Sequence, residues 1–344
     1  MFGKKKSVVG LDIGSSQVKL VELKGYPKAT TILKVGVAPL LPDAIVDGEV
    51  MDREVVIDTI KTLFEKNDIQ SKDVVTAVSG RGVIVKKIKM DKMKKSEVSE
   101  QIRWEAEQYV PFDIDDVSLA FEIVRQDAGE GQMEVLLVAA KSEVVNSYVS
   151  LIKEIGLNPT ALDISAFAIQ NVYEYNYPVL ADKLIALVTI GAEITNVSFI
   201  INNVNHFTRD IFAATNSCSQ KIQRELGLNR AQTEQLIRGE DVEGVDTESV
   251  EKFFKEFAEE VAVGLDKVIP FLPGEKEKID RVVLCGGGAL ISGLVDYLKE
   301  RFDTEVIIIN SLQKINYDPA IFAEERPEKM SPVIAEAIGL ALRG

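Results

Sequence analysis

Val8 to Val21 reads VVGLDIGSSQVKLV, and Ile185 to Ser198 reads IALVTIGAEITNVS. Each is an apolar run, a tight turn containing a glycine, and a second alternating run, the pattern of two β-strands joined by a short turn. Aligned on the glycines, Gly14 falls on Gly191, Asp12 on Thr189 and Ser15 on Ala192. A third feature completes the pair: Gly286-Gly287-Gly288 follows the apolar run Val282-Val283-Leu284-Cys285 directly. Two echoed phosphate-type turns and a late glycine-rich strand-to-helix turn predict a nucleotide held between two similar half-molecules.

Whole-chain properties bound this reading. A chain of 344 residues can form two compact domains, and 46% apolar with 27% charged residues is ordinary for a globular protein. The formal net charge of −14 argues against nucleic-acid binding, which needs basic surface. Cys218 and Cys285 form no CxxC pair, so a reducing cytosolic compartment is expected. A single histidine, His206, in a strand-like segment, excludes His-based triads and His-rich metal sites. No apolar run reaches the roughly 20 residues of a membrane span. The start, MFGKKKS, lacks the pattern of a signal peptide, and Lys4-Lys5-Lys6 reads as a solvated tail.

Along the chain, strands over 8–40 precede a helix from about Asp52 to Lys66, with Val56, Ile57, Ile60 and Phe64 at helical spacing. Residues 85–160 read as strand, helix, strand, strand, helix, a small α+β unit inserted into the first half. Its helix stops at Val110-Pro111, as the residue before a proline disfavours helical geometry. Trp104 and Phe112 read as core of this unit. The second half contains helices near 216–226, 229–238 and 248–269, the last closed by Pro270 and Pro273. A strand over 281–285, the glycine triplet and a helix over 289–302 are expected as one β-turn-α unit, and 331–343 as a short terminal helix.

In the first turn, Gly14 lets backbone approach a ligand, and the Ser15 hydroxyl and turn N–H groups suit phosphate oxygens. Asp12 suits a Mg²⁺ held through water, and Lys19 suits a β- or γ-phosphate as a point charge. In the second turn Thr189 supplies no carboxylate; Glu193 and Thr195 are the nearby polar groups. An unaided threonine is a poor base and a poor metal anchor. No GxxxxGK[ST] motif occurs, which excludes a P-loop.

The order of these turns, with an insertion in the first half, resembles the actin, heat-shock chaperone and sugar kinase ATPase superfamily. Within it the chain is similar to the PilM family of actin-like type IV pilus assembly proteins, themselves similar to FtsA. The segments that carry this are MFGKKKSVVGLDIGSSQVKLVELKG, IRWEAEQYVPFDIDDV, VLLVAAKSE, LDISAFAIQN, VVLCGGGALISGL and AIGLALRG, spread from end to end. The resemblance implies an α/β, duplicated actin-like ATPase (ribonuclease H-like) fold with an FtsA-type inserted α+β subdomain. It implies a first-half core of 1–85 with 161–183 and 315–344, an inserted partner-binding unit of 86–160, and a second half of 184–314 with a smaller insertion over about 206–278.

The same resemblance implies ATP and Mg²⁺ between the halves. Asp12, Gly14, Ser15, Ser16 and Lys19 match the first phosphate motif, with Asp12 holding Mg²⁺ through water. Gly191 and Thr195 match the second, and Gly286, Gly287 and Gly288 the adenosine motif. Glu234 matches the residue that holds ribose and the adenine edge; the basic residue usual just after it is displaced to Arg238. ATP hydrolysis is expected to be slow or absent, since no placed base is evident in the sequence. The implied partner is the N-terminal cytoplasmic segment of the inner-membrane protein PilN, bound in a groove beside the inserted unit. Pilus motor ATPases or a platform protein, an inner-membrane complex and a ring or homo-oligomer are further implied partners, with the protein cytoplasmic and peripheral to that membrane. Two other readings are a small-molecule kinase and an FtsA-like filament former. Thr189 and the lack of a substrate domain weigh against the first, and a chain ending at Leu342-Arg343-Gly344 against the second.

Overall fold

A computed structural model describes residues 7–272, 278–323 and 325–344. The first half opens with β1 (Val8–Ile13), β2 (Gln17–Lys24) and β3 (Thr31–Pro39), then a small hairpin of β4 (Ile45–Val46) and β5 (Glu49–Val50). Next come α1 (Arg53–Lys66) and β6 (Asp73–Val78). The inserted segment contributes β7 (Val83–Asp91), α2 (Lys95–Ala106), β8 (Val117–Gly129), β9 (Gln132–Lys141) and α3 (Ser142–Glu154). β10 (Asn158–Ile164) and α4 (Ser165–Asn176) return to the first half.

The second half follows with β11 (Ile185–Ile190), β12 (Thr195–Ile201), β13 (Val204–Ile211), α5 (Thr215–Leu226), α6 (Arg230–Ile237) and α7 (Thr247–Asp266). β14 (Arg281–Cys285), α8 (Leu294–Phe302), β15 (Glu305–Ile308), α9 (Pro327–Val333) and α10 (Ala335–Ala341) complete the chain. Among the described residues no helix is long and apolar enough to cross a membrane.

The sheets repeat one plan. In the first half the order is β10-β6-β1-β2-β3, with β1, β2 and β3 antiparallel and β1, β6 and β10 parallel. In the second half β15-β14-β11-β12-β13 has the same sequence of antiparallel and parallel pairings. Strands β7, β9 and β8 extend this second sheet, joined to it by β7 against β13 at Phe207 and Lys86. The echoed stretches of sequence are thus the central hairpins of two equivalent sheets.

Local chemistry explains the elements. Asp52 caps α1 by accepting from the Val55 N–H, and Val56, Ile57, Ile60, Leu63 and Phe64 bury one face, a helical stripe of the expected period. Asn229 and Gln232 form a capping box at the start of α6. α10 lies between β1 and α4 at backbone contact. A Cβ on Gly10 would stand 1.9 Å from the Ala337 carbonyl oxygen, and one on Gly339 would stand 1.8 Å from that of Ala168. Only hydrogen side chains permit this packing.

Three local expectations change. The glycine triplet does not open an α-helix: Gly287–Leu290 is a single 3-10 turn, and α8 starts only at Leu294, after Gly293 at φ 78°. The terminal segment is two short helices rather than one, with Pro332 in the last turn of α9. Trp104 is 71% exposed on α2 rather than core. Phe112 is half-buried, with the Lys141 ammonium 5.1 Å above its ring. Lys4-Lys5-Lys6 and Pro273 lie outside the described residues.

Candidate functional site

A cavity of about 940 Å³ separates the two central hairpins. The first turn, the second turn, the glycine triplet and Glu234 all line it. Of the residues singled out in the sequence, Asp12, Gly14, Ser15, Ser16, Lys19, Gly191, Glu234, Gly286, Gly287 and Gly288 are brought together there. Thr195 is not: it is fully buried at the start of β12, and its hydroxyl donates to the Ala213 carbonyl.

The two turns share a backbone. The Gly14 N–H donates to the Gln17 carbonyl at 3.1 Å, and the Gly191 N–H donates to the Ile194 carbonyl at 3.0 Å. Both glycines therefore close a turn, and neither offers its N–H to a ligand. The side chains differ. Asp12 on β1 and Lys19 on β2 are cross-strand partners, joined by an ion pair of 2.8 Å. Thr189 and Asn196 occupy the same register in the second half, and Asn196 donates instead to Asp210 on β13 at 2.8 Å. The second turn also caps a helix, as the Gly191 and Ala192 carbonyls accept the Thr215 and Asn216 N–H groups of α5.

Electrostatics set the first turn apart. Burial by itself lowers an ammonium pKa, but the charge and hydrogen bond of Asp12, with the charge of Glu336, outweigh it and raise that of Lys19. Glu336 on α10 lines the same cavity. Burial and the nearby Asp12 charge push its carboxyl up to about 8, against the opposing hydrogen bond of Ser165 and the charge of Lys19. Tyr148 on α3 is also buried beside this group, which raises its phenol pKa, and its hydroxyl donates to the Gly48 carbonyl at 3.1 Å.

Across the cavity, Glu193 of the second turn accepts the Asp47 N–H at 3.2 Å, a contact between the two halves. Burial raises the pKa of Glu193, and likewise that of Asp210. At the far end, Arg230 holds Glu234 at 2.7 Å. Lys329 there reaches the Arg238 carbonyl at 3.0 Å. Gly287 has nothing within 4 Å of where a Cβ would stand, so its bare backbone faces open space. The Gly286 N–H is held by the Pro332 carbonyl at 2.9 Å, which ties the triplet to α9.

The chain as a whole matches a family. The family model for type IV pilus assembly protein PilM matches residues 10–344. The chain belongs to the PilM family. Membership places it in type IV pilus assembly. A chain of a solved PilM–PilN type IV pilus biogenesis complex is 27% identical to it, with 99% of each chain covered and a TM-score of 0.87. Ethanolamine utilization protein EutJ from Carboxydothermus hydrogenoformans is similar in fold, at 14% identity and a TM-score of 0.58, covering 100% of this chain and 91% of that one. An MreB of Spiroplasma citri bound to AMPPNP is likewise similar, at 12% identity and a TM-score of 0.53, covering 90% and 95%. The fold is the actin-like α/β fold expected from the sequence.

Glu336, Ser165, Tyr148 and Lys329 escaped sequence reasoning. Glu336 left one trace, a lone acid in the otherwise small and apolar run Ala335–Ala341. Among the described residues no group of three or more His, Cys, Asp or Glu side chains is placed to hold a metal ion.

Proposed function

We propose that this protein is a nucleotide-dependent scaffold of type IV pilus assembly, binding Mg–ATP in the central cavity and a PilN segment beside its inserted unit. The observation that carries the nucleotide reading is the Asp12–Lys19 pair at a glycine turn, facing the bare glycine triplet across one cavity. Lys19 is a charged point donor for phosphate oxygens, and Ser15 and Ser16 add hydroxyls. Asp12 suits Mg²⁺ held through water, since that ion keeps much of its hydration shell. Gly287 leaves room for a flat base or ribose, with Glu234 and Arg230 at that end. When bound, Mg²⁺ neutralises phosphate charge.

We assign the first-half core to 1–85 with 161–183 and 315–344, the partner-binding unit to 86–160, and the second half to 184–314 with a subdomain over about 206–278. Support for a PilN peptide comes from the PilM–PilN likeness. A groove beside strands suits an extended peptide, through main-chain hydrogen bonds and side-chain pockets. The shared sheet edge at Phe207 and Lys86 gives the second half a mechanical hold on the inserted unit, so a change in the angle between halves reaches the groove.

Calorimetry with ATP and Mg²⁺ tests the cavity. Wild-type protein is expected to bind, and Asp12→Ala to weaken binding about tenfold or more, consistent with loss of a charge-assisted contact. Unchanged affinity in the variant would remove the first turn from the site.

A further inference from the structure

The second half has Thr189 where the first has Asp12, yet the cavity is not short of acids. Glu193, Asp210 and Glu336 all line it. The first two belong to the second half and have other engagements. Glu193 takes the Asp47 N–H, and Asp210 takes the Asn196 amide; the neighbouring charges felt by both come from the loop of Asp43 and Asp47. Glu336 alone of the three interacts with Asp12 and Lys19, the charged pair of the first turn.

Its position is fixed unusually well. α10 rests on β1 through Gly10 and on α4 through Gly339, each at a distance that excludes even a methyl group. The strand that carries Asp12 and the helix that carries Glu336 therefore move together. Ser165, at the start of α4, lines the cavity with Glu336. A carboxyl mounted on backbone packing and facing the cavity that Lys19 also lines is arranged as a catalytic base rather than as a surface charge.

We infer that Glu336 is the proton acceptor for hydrolysis of a nucleotide's terminal phosphate in this cavity. The inference rests on the nucleotide reading above. The oxygen of a water forms the new bond to the terminal phosphorus. The bond from that phosphorus to the bridging oxygen breaks, and its electron pair stays on the nucleoside diphosphate. One water proton passes to a Glu336 carboxylate oxygen and from there to solvent. Phosphoryl transfer depends mainly on positioning and charge stabilisation, so a single base acting alone supports slow turnover, below about 1 s⁻¹.

The test uses the full chain as wild type, Glu336→Gln, Glu336→Asp and Asp210→Asn. Phosphate release from Mg–ATP is measured at protein excess, and ATP affinity is measured separately by calorimetry. Glutamine keeps size and hydrogen bonding, so Glu336→Gln is expected to bind ATP within about threefold of wild type. It is expected to release phosphate about 100-fold more slowly, the usual contribution of a general base. Glu336→Asp is expected to fall between the two, and Asp210→Asn, which removes another acid of the cavity, to release phosphate faster than Glu336→Gln. Bound nucleotide recovered after incubation should be ATP from Glu336→Gln and ADP from wild type. Wild-type release with Glu336→Gln at normal affinity overturns the inference, as does loss of release in Asp210→Asn alone. A wild type that binds ATP and releases no phosphate overturns it while the scaffold reading stands. A wild type that binds no ATP overturns both. Should the glutamine variant misfold, a Glu336→Asp that folds and releases phosphate no slower than wild type counts against the inference.

Discussion

The two halves share a strand order and a turn geometry, and they differ in what lies beneath the turn. In the first half the register pair is Asp12 and Lys19, an ion pair, with Glu336 close enough to feel both charges. In the second the same register pair is Thr189 and Asn196, both uncharged. Backbone geometry repeats because a tight turn between paired strands has few solutions, and a glycine with one N–H···O bond closes both. Side chains are free to diverge once the turn is secure. The comparison separates a charged, chemically equipped turn from one whose carbonyls cap α5. One half can carry the chemistry while the other supplies a wall and a hinge.

Packing at one buried glycine in each half gives a sharper contrast, and substitutions there read it out most strongly. A Cβ at Gly10 meets backbone, the Ala337 oxygen at 1.9 Å and the Ala341 nitrogen at 2.6 Å, and backbone cannot rotate away. A Cβ at Gly264 on α7 meets the Ile211 Cδ1 at 2.5 Å, the end of a flexible side chain. Gly10→Ala is expected to lower unfolding free energy by about 3 kcal/mol or more, at the upper end of overpacking costs. Gly264→Ala is expected to stay within about 1 kcal/mol of wild type, since helix propensity offsets the crowding. Denaturant midpoints at constant slope decide between them. A mild effect at Gly10 would mean that α10 does not press on β1, and Glu336 would lose its fixed place.

These differences explain what was legible in the sequence. Hairpins announce themselves locally, through alternation around a glycine, so both turns, and with them the duplicated fold, were readable. Asp12 and Lys19 were each legible as groups of the first turn; their pairing is set by hairpin register, which the turn that joins the strands fixes. Glu336 was not, because it lies 324 residues beyond Asp12 in the chain and reaches it only through α10 packing on β1. Thr195 failed for the opposite reason: its sequence neighbours are right, but strand alternation turns its side chain to the buried face, where Ala213 takes the hydroxyl. Trp104 belongs to an amphipathic helix whose buried face is Val98, Ile102 and Ala106; its size and apolarity predict core, but its phase on the helix falls off that stripe and points it outward. The glycine triplet was read as a helix start because strand-glycine-helix is a common order, while Gly293 with its positive φ delays α8.

Stability as a function of pH sharpens the contrast at an intermediate scale. A carboxyl held near 8 in the folded protein, against 4.5 in its ordinary setting, binds an extra proton on folding between those values. Its favourable contribution is complete below about 4.5 and is lost as pH rises through 8. Wild type is therefore expected to lose stability from pH 5 to pH 9 relative to Glu336→Gln, whose side chain does not titrate. The difference in Tm should widen by about 2 °C or more across that range, with Glu336→Gln the more stable at pH 9. Asp210→Asn, in the second half, is expected to show the same sign, since burial raises that carboxyl too. A Tm difference for Glu336→Gln that stays flat with pH would show that folding does not shift the titration of this carboxyl across that range.

The smallest expected effect lies where the halves meet. Arg81, in the turn after β6, stands 5.4 Å from the centre of the Phe212 ring, just past β13, and 3.7 Å from Asp47. Asp47 in turn donates its N–H to Glu193 of the second turn. Phe212 is 74% exposed and the Arg81 side chain 69%, so water screens the contact on most sides. A double-mutant cycle of Arg81→Ala and Phe212→Ala is expected to give a coupling of about 0.5 kcal/mol, typical of an exposed cation–π pair. Glu193→Ala should be additive with neither change if Asp47 transmits the contact through its backbone alone. Repeating the cycle with saturating Mg–ATP asks whether the cavity's contents alter the angle between halves. A ligand that favours a closed arrangement must bind it more tightly, so the coupling has to grow if closure shortens the Arg81–Phe212 separation. A coupling that is measurable and unchanged by nucleotide would place the moving joint elsewhere, at the shared sheet edge of Phe207 and Lys86. A coupling of zero in both states would mean that this exposed pair does not help to hold the halves together.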